Sequence, residues 1–232
     1  MVNPPLREAL IGLDAIRGNV ARLVDSWFVA DVAGDGFGHG AIRVAAAAVE
    51  AGATVVGVRD AREQRALECA GIAARIVRLP DAGSAVSAAM YGIGPLARES
   101  GCIAALRVSA RVMSLKTIEA GEAVSYGYTW RASVRTNLAL VPLGYADGVT
   151  RAAGNIGRVL LAGAMRPIVG RVAMDVIVLD LGDDEVELGA EAVLFGGPAH
   201  GAATADEWAA ALGISALEAT SGIGARVARR WI

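Results

Sequence analysis

The chain has 232 residues, 54% of them hydrophobic and 20% charged, with a net charge of −2 and a pI of about 5.8. So apolar a composition can bury a core and does not favour disorder, and the near-balanced charge makes no electrostatic case for nucleic acid. No apolar run reaches the roughly 18 residues of a membrane-spanning helix, and charges interrupt the N-terminal MVNPPLREALIGLDAIRGN where a signal peptide would carry its apolar segment, so the chain reads as cytoplasmic with no membrane partner.

In chain order, a short strand-like start is followed by helical spacing over Gly12 to Val24. Phe28 to Val32 suits a buried strand, and Gly34, Gly36, Gly38 and Gly40 then mark a loop before a helix at Ala41 to Glu50. Thr54 to Val58 reads as a β-branched strand, Asp60 to Ala70 as a helix with Asp60 as its N-cap, and Arg75 to Leu79 as another strand. Strands alternating with helices imply βαβ units and a parallel sheet.

The pattern changes after Pro80. Asp81 to Pro95 is rich in small residues and poorly periodic. Strand signals follow at Leu106 to Ile118, Thr136 to Leu143, Arg158 to Leu161, Pro167 to Leu181 and Ala192 to Phe195, separated by Gly and Asp turns. One helix interrupts them at Ala205 to Leu212, opened by the capping box Thr204-x-x-Glu207. The expected fold class is therefore α/β plus all-β. A partial β/α barrel of about three or four parallel strands (residues 1–96) precedes a mostly antiparallel C-terminal β-domain (97–232). A full eight-stranded barrel takes roughly 250 residues, more than the N-terminal part supplies, so the sheet should have an exposed edge or a partner covering it.

Chemistry-bearing residues are few. Cys69 and Cys102 form no CxxC pair and read as buried free thiols. The two histidines, His39 and His200, do not suggest a metal site. A glycine-rich strand-to-helix loop can bind phosphate through backbone N–H groups, although a tight turn is the commoner use. A tyrosine in a glycine-rich turn, such as Tyr145, is by itself most often structural.

Four strings change that weighting. GYADG (Gly144 to Gly148), GRVAMD (Gly170 to Asp175) and VSYG (Val124 to Gly127) resemble the C-terminal β-domain of the alanine racemase family. VAGDGFGHG (Val32 to Gly40) resembles the family's cofactor loop, V-K-A-[DN]-[AG]-Y-G-H-G; GLDAIRGN, EAGATVVGV and AMYGIGP extend the likeness along the chain. The resemblance implies interconversion of L- and D-alanine with pyridoxal phosphate (PLP) as electron sink, held as a Schiff base to lysine. It makes Tyr145 the match of the catalytic tyrosine, which in the family serves a partner subunit's site. It makes Met174 the match of a methionine whose backbone faces the substrate carboxylate, and Gly38 and His39 remnants of the cofactor loop. Asp147 and Asp175 read as residues that hold loops in shape.

The same alignment departs from the family where the cofactor would bind. Ala33 stands at the lysine position and Phe37 at that of a phosphate-binding tyrosine; a second such tyrosine near the C-terminus aligns, more loosely, with Ala225. Arginine outnumbers lysine 21 to 1, a bias that could strip surface lysines but should not remove one bonded to a cofactor. The one lysine, Lys116, reads as an exposed strand residue. Several readings follow from the resemblance: a member not competent alone, an active PLP-dependent racemase acting on a small amino acid, a partner of a full-length racemase in a homodimer or heterodimer, or a small-molecule binder using the remnant loop.

Overall fold

The computed structural model describes residues 5–24, 28–80 and 84–232. The chain divides into two compact units, each assembled from separated stretches. The α/β unit comprises Leu10–Leu106, Ala216–Ser221 and Arg230–Ile232; the β unit comprises Met1–Ala9, Arg107–Ser215 and Gly222–Arg229.

Strand β1 (Arg7–Ile11) leads to helix α1 (Leu13–Leu23), strand β2 (Ala30–Asp31), a single turn α2 (Ala33–Phe37) and helix α3 (Ala41–Glu50). Strand β3 (Val55–Val58), helix α4 (Ala61–Cys69), strand β4 (Arg75–Arg78) and short helices α5 (Ala85–Met90) and α6 (Pro95–Glu99) follow. The three strands form a parallel sheet in the order β2-β3-β4, with Ala30 beside Val56 and Val56 beside Ile76. This is a partial β/α barrel and not a closed one. Strand β4 ends the sheet with Arg75 and Arg78 exposed, charges of the kind that discourage edge-to-edge pairing.

Helix α3 buries Val44, Ala45, Ala47 and Ala48, the stripe that its apolar spacing dictates. Helix α1 packs on α3 and α5 and buries Ile16, Asn19 and Val20. The buried Asn19 amide is fully used: its nitrogen donates to the carbonyls of Met90 (3.1 Å) and Ile103 (2.8 Å), and its oxygen accepts from the Ile103 N–H (2.8 Å). Asp60 caps α4 by accepting from the Arg62 and Glu63 amides, which hold its carboxyl below its ordinary pKa.

The β unit contains β5 (Leu106–Arg111), β6 (Ser114–Ile118), β7 (Ala123–Val124), β8 (Trp130–Arg131), β9 (Thr136–Val141), β10 (Arg158–Leu161), β11 (Ala164–Pro167), β12 (Ile177–Gly182) and β13 (Glu191–Phe195). Helix α7 (Ala205–Leu212) opens with both arms of the Thr204–Glu207 capping box made. Helix α8 (Ala216–Ser221) and strand β14 (Ala228–Trp231) complete the chain. One sheet runs β11-β10-β13-β5-β1-β14, and a second runs β12-β9-β6 with antiparallel pairing throughout. The β10–β11 hairpin turns through Ala162 (φ 52°) and Gly163 (φ 77°), the positive φ values that match a two-residue turn to strand twist. Strand β12 alternates buried and half-buried residues, as a strand with one covered face must.

Five sequence expectations differ from the structure. The run Leu106 to Ile118 is two strands, β5 and β6, in different sheets. The strand expected at Phe28 to Val32 is paired only at Ala30–Asp31. The run Pro167 to Leu181 is broken between β11 and β12, where Gly170 takes φ 76° and leaves only an isolated bridge from Ile168 to Leu179. Residues 81–83 of the poorly periodic stretch lie outside the described residues, but the rest of it contains α5, capped by Ser84, and the start of α6. The cysteines are not buried: Cys69 is exposed and Cys102 half-exposed.

Candidate functional site

Within the α/β unit the glycine loop begins where β2 ends. Its first turn, α2, is left-handed: Gly34 (φ 59°, ψ 45°), Asp35 (58°, 39°) and Gly36 (62°, 41°) are followed by Phe37 at φ 51°. For residues with a Cβ this hand costs roughly 1–2 kcal/mol each, so other interactions must hold the turn. The Ala33 amide donates to Asp31 Oδ1 (3.0 Å), the Gly34 amide to Glu63 Oε1 (2.8 Å) and the Ala41 amide to Asp35 Oδ1 (3.0 Å). Backbone carbonyls take the Gly36 and Gly40 amides at 2.8 Å each. These five amides are thus bonded within the chain, three of them to carboxylates.

The side chains of the loop are equally committed. Ala33 is buried and carries only a methyl group. Phe37 meets Tyr91 edge-on, with ring centroids 5.6 Å apart. His39 is fully buried, 4.4 Å from the Tyr91 ring, and its Nδ1 donates toward the carbonyls of Gly36 (2.9 Å) and Phe37 (3.2 Å). The His39 carbonyl accepts from the Trp231 indole N–H (2.8 Å). Gly38 has φ 88°, and a Cβ there would overlap the Thr220 carbonyl of α8; at Gly40 it would meet Trp231 at 2.8 Å. Tyr91 donates to the Asp31 carbonyl (2.7 Å), and burial, reinforced by Asp31 and Asp35, pushes its phenol well above the ordinary pKa. Ala33 carries no amine and Phe37 no hydroxyl. The loop therefore offers neither a Schiff-base partner nor a phosphate ligand, and the residues present do not fit pyridoxal phosphate.

Within the β unit a second group of residues converges. Tyr145 and Asp147 belong to a 3-10 turn, and the backbone of this turn is bonded to the loop that carries Met174. The Tyr145 amide donates to the Ala173 carbonyl and the Ala146 amide to the Met174 carbonyl, both at 3.0 Å. Asp147 is fully buried, accepts Arg7 at 2.5 Å and Arg226 at 3.2 Å on one oxygen, and accepts the Gly144 amide at 2.9 Å on the other. Arg226 also donates to Asp175 at 2.6 Å. The side chains of Tyr145 and Met174 nevertheless remain 43% and 52% exposed. Arg7 and Arg226 escape sequence reading because nothing local links them to Asp147, 140 and 79 positions away.

The remaining candidates stand apart from these groups. Lys116 is exposed on β6 opposite Leu138 and borders a cavity of about 310 Å³ with Thr117, Asn137, Asp184 and Glu185. Those two carboxylates make the cavity a poor phosphate site. Ala225 is exposed in the turn before Arg226. Among the described residues no three His, Cys, Asp or Glu side chains gather as a metal site, and no helix is long and apolar enough to cross a membrane.

A parallel β/α sheet with a glycine loop at the end of its first strand, together with an antiparallel β unit bearing a tyrosine turn, defines a barrel-plus-β-domain fold with most of its barrel missing. The family models for the alanine racemase N-terminal domain and C-terminal domain match residues 11–116 and 105–231, and the chain belongs to the alanine racemase family. An alanine racemase of Salinispora arenicola is 49% identical over 145 residues, 62% of this chain and 39% of that protein. The chain thus spans about two fifths of the length of the curated relatives that it matches. The solved alanine racemase of the D-cycloserine producer Streptomyces lavendulae superimposes with TM-score 0.89 at 26% identity, covering 100% of this chain and 98% of that one. The alanine racemase of Bartonella henselae, solved with covalently bound pyridoxal phosphate, shares the fold at TM-score 0.82 and 18% identity, with coverage of 99% and 100%.

Proposed function

We propose that this chain forms no Schiff base of its own and does not racemise amino acids alone. The observation that carries this reading is the buried methyl of Ala33, at the position that the loop's resemblance to the family assigns to the amine bonding the cofactor aldehyde. Without that amine the chain lacks both the residue that would anchor the cofactor and the base that the family's lysine would supply on one face of the substrate, and no other lysine exists in the chain besides Lys116 in the β unit. Phe37 and the internally bonded loop amides remove the phosphate grip as well. The test is to incubate the protein with PLP, reduce with borohydride and locate any label by mass spectrometry. No specific label is expected. A stoichiometric label on Lys116 would overturn the reading, and alanine racemisation would then be assayed directly.

The preserved β unit favours a second role, as the partner of a full-length racemase in a heterodimer. Tyr145 and Met174 are exposed together on a tightly bonded backbone. Set against a complete cofactor site on another subunit, Tyr145 would supply its phenol O–H beside the small amino acid bound there, and the hybrid would hold at most one working site. Co-purification with a full-length racemase supports this role. A chain that stays monomeric in the presence of that enzyme rules it out.

A further inference from the structure

We infer that Arg226 is a positioning residue: its single guanidinium bolts the Tyr145 turn to the Met174 loop, so that both side chains are presented on a backbone already set. The use made of that face rests on the heterodimer reading above; the bolt itself does not.

The geometry has three parts. First, the two loops touch through their backbones, by the Tyr145–Ala173 and Ala146–Met174 hydrogen bonds, and Gly144 lies so close to the Met174 carbonyl that any Cβ would overlap it. Second, Arg226 spans them with different nitrogens. Its Nε faces Asp147 Oδ1 (3.2 Å), and its Nη2 donates to Asp175 Oδ1 (2.6 Å), the residue after Met174. Third, Arg226 is itself anchored, because the Gly224 amide donates to the Asp147 carbonyl (3.1 Å). A planar fork can satisfy two carboxylates at once, whereas a lysine ammonium on a flexible stem satisfies one well.

The division of labour between two arginines makes the inference separable from folding. Asp147 is the buried charge, and Arg7 would still neutralise it if Arg226 were lost. Asp175 is half-exposed, and Arg226 is its ion-pair partner. Removing Arg226 should therefore spare the fold and release the Met174 loop. Ordering that is complete before association leaves less to lose on binding, which suits an exposed tyrosine and methionine to act on another molecule.

Hydrogen exchange of the full chain tests this. In Arg226→Ala the Tyr145 and Ala146 amides should exchange about tenfold faster, while β9 amides keep their rates. Asp175→Asn should do the same, and Arg226→Lys should not restore protection. Unchanged exchange at Tyr145 and Ala146 in Arg226→Ala, or full protection in Arg226→Lys, overturns the inference. A second arm mixes the chain with a full-length racemase whose own catalytic tyrosine is replaced by phenylalanine. Activity should return, and Arg226→Ala should lower kcat about tenfold with KM and the amount of complex unchanged. If exchange quickens but the mixture stays inactive, the bolt stands and the heterodimer reading falls. If activity returns and is indifferent to Arg226, the bolt has no positioning role.

Discussion

The glycine loop of the α/β unit and the tyrosine turn of the β unit carry equally clear family strings, yet they have fared differently. The loop keeps the residues that give it shape, Gly38, His39 and Gly40, and has alanine and phenylalanine at the positions that would do chemistry. The turn has the residues that match the family's at both kinds of position, with Tyr145 and Met174 exposed and Asp147 buried and doubly paired. Shape residues are held by packing that does not depend on catalysis: Gly38 must pass Thr220, and the His39 carbonyl must meet Trp231. Their presence is therefore evidence of descent and fold, not of activity.

The largest effect should come from testing that packing. Gly38→Ala places a Cβ at φ 88° and against the Thr220 carbonyl, two penalties that together should cost about 3 kcal/mol or more. Chemical denaturation would measure it. A loss below about 1 kcal/mol would mean that the loop can move off α8 and that its glycines are not demanded by packing.

The matching perturbation of the turn is Asp147→Asn. It keeps the shape and removes the charge, leaving Arg7, whose side chain is only 17% exposed, without its anion. The expected cost is about 2–3 kcal/mol, again from denaturation. A near-neutral result would mean that the arginines find water instead, and the contrast between a rigid turn and a merely packed loop would weaken.

Local signals explain what sequence reading achieved. Asp60 and Thr204 were legible as caps because the amides they accept lie within three residues, and the α3 stripe repeats inside one helix. The fold class was legible because β-branched strands alternate with helices before Pro80 and with turns after Gly101. The left-handed turn was not, since it requires Asp35 and Phe37 in a conformation that neither favours, stabilised by Glu63 from another element. Helix α5 is built of small residues whose spacing says little. Tyr145 and Met174 stood out as candidates only through resemblance, and the Arg7–Asp147–Arg226 cluster not at all, because three distant segments meet there.

A smaller effect lies in the β unit away from the turn. Glu191 accepts Arg107 through both its oxygens (2.9 and 2.6 Å) and Ser109 (2.8 Å), and the Arg107 bonds hold its carboxyl below the ordinary range. A carboxyl depressed on folding contributes stability that is fully present above its unfolded pKa of about 4.3 and is lost as pH falls through the lower folded value. The stability difference between wild type and Glu191→Gln should therefore be flat above about pH 5 and shrink toward pH 3. A difference that stays constant to pH 3 would show that the pair does not titrate with folding.

The smallest expected effect bears most directly on the comparison. Ala33→Lys restores the one residue whose loss is plainest, and if the loop were otherwise intact the variant should absorb near the wavelength of a PLP aldimine and trap the label with borohydride. No such binding is expected. The new amine would meet no phosphate ligand, because Phe37 has no hydroxyl and the Ala33, Gly34 and Ala41 amides already serve Asp31, Glu63 and Asp35. Clear PLP uptake by this single variant would mean that the loop has kept its cofactor grip in a form that its hydrogen bonds conceal, and that only one step separates the two regions. Failure of Ala33→Lys, followed by failure of Ala33→Lys with Phe37→Tyr, would place the loss in the barrel units that this chain lacks.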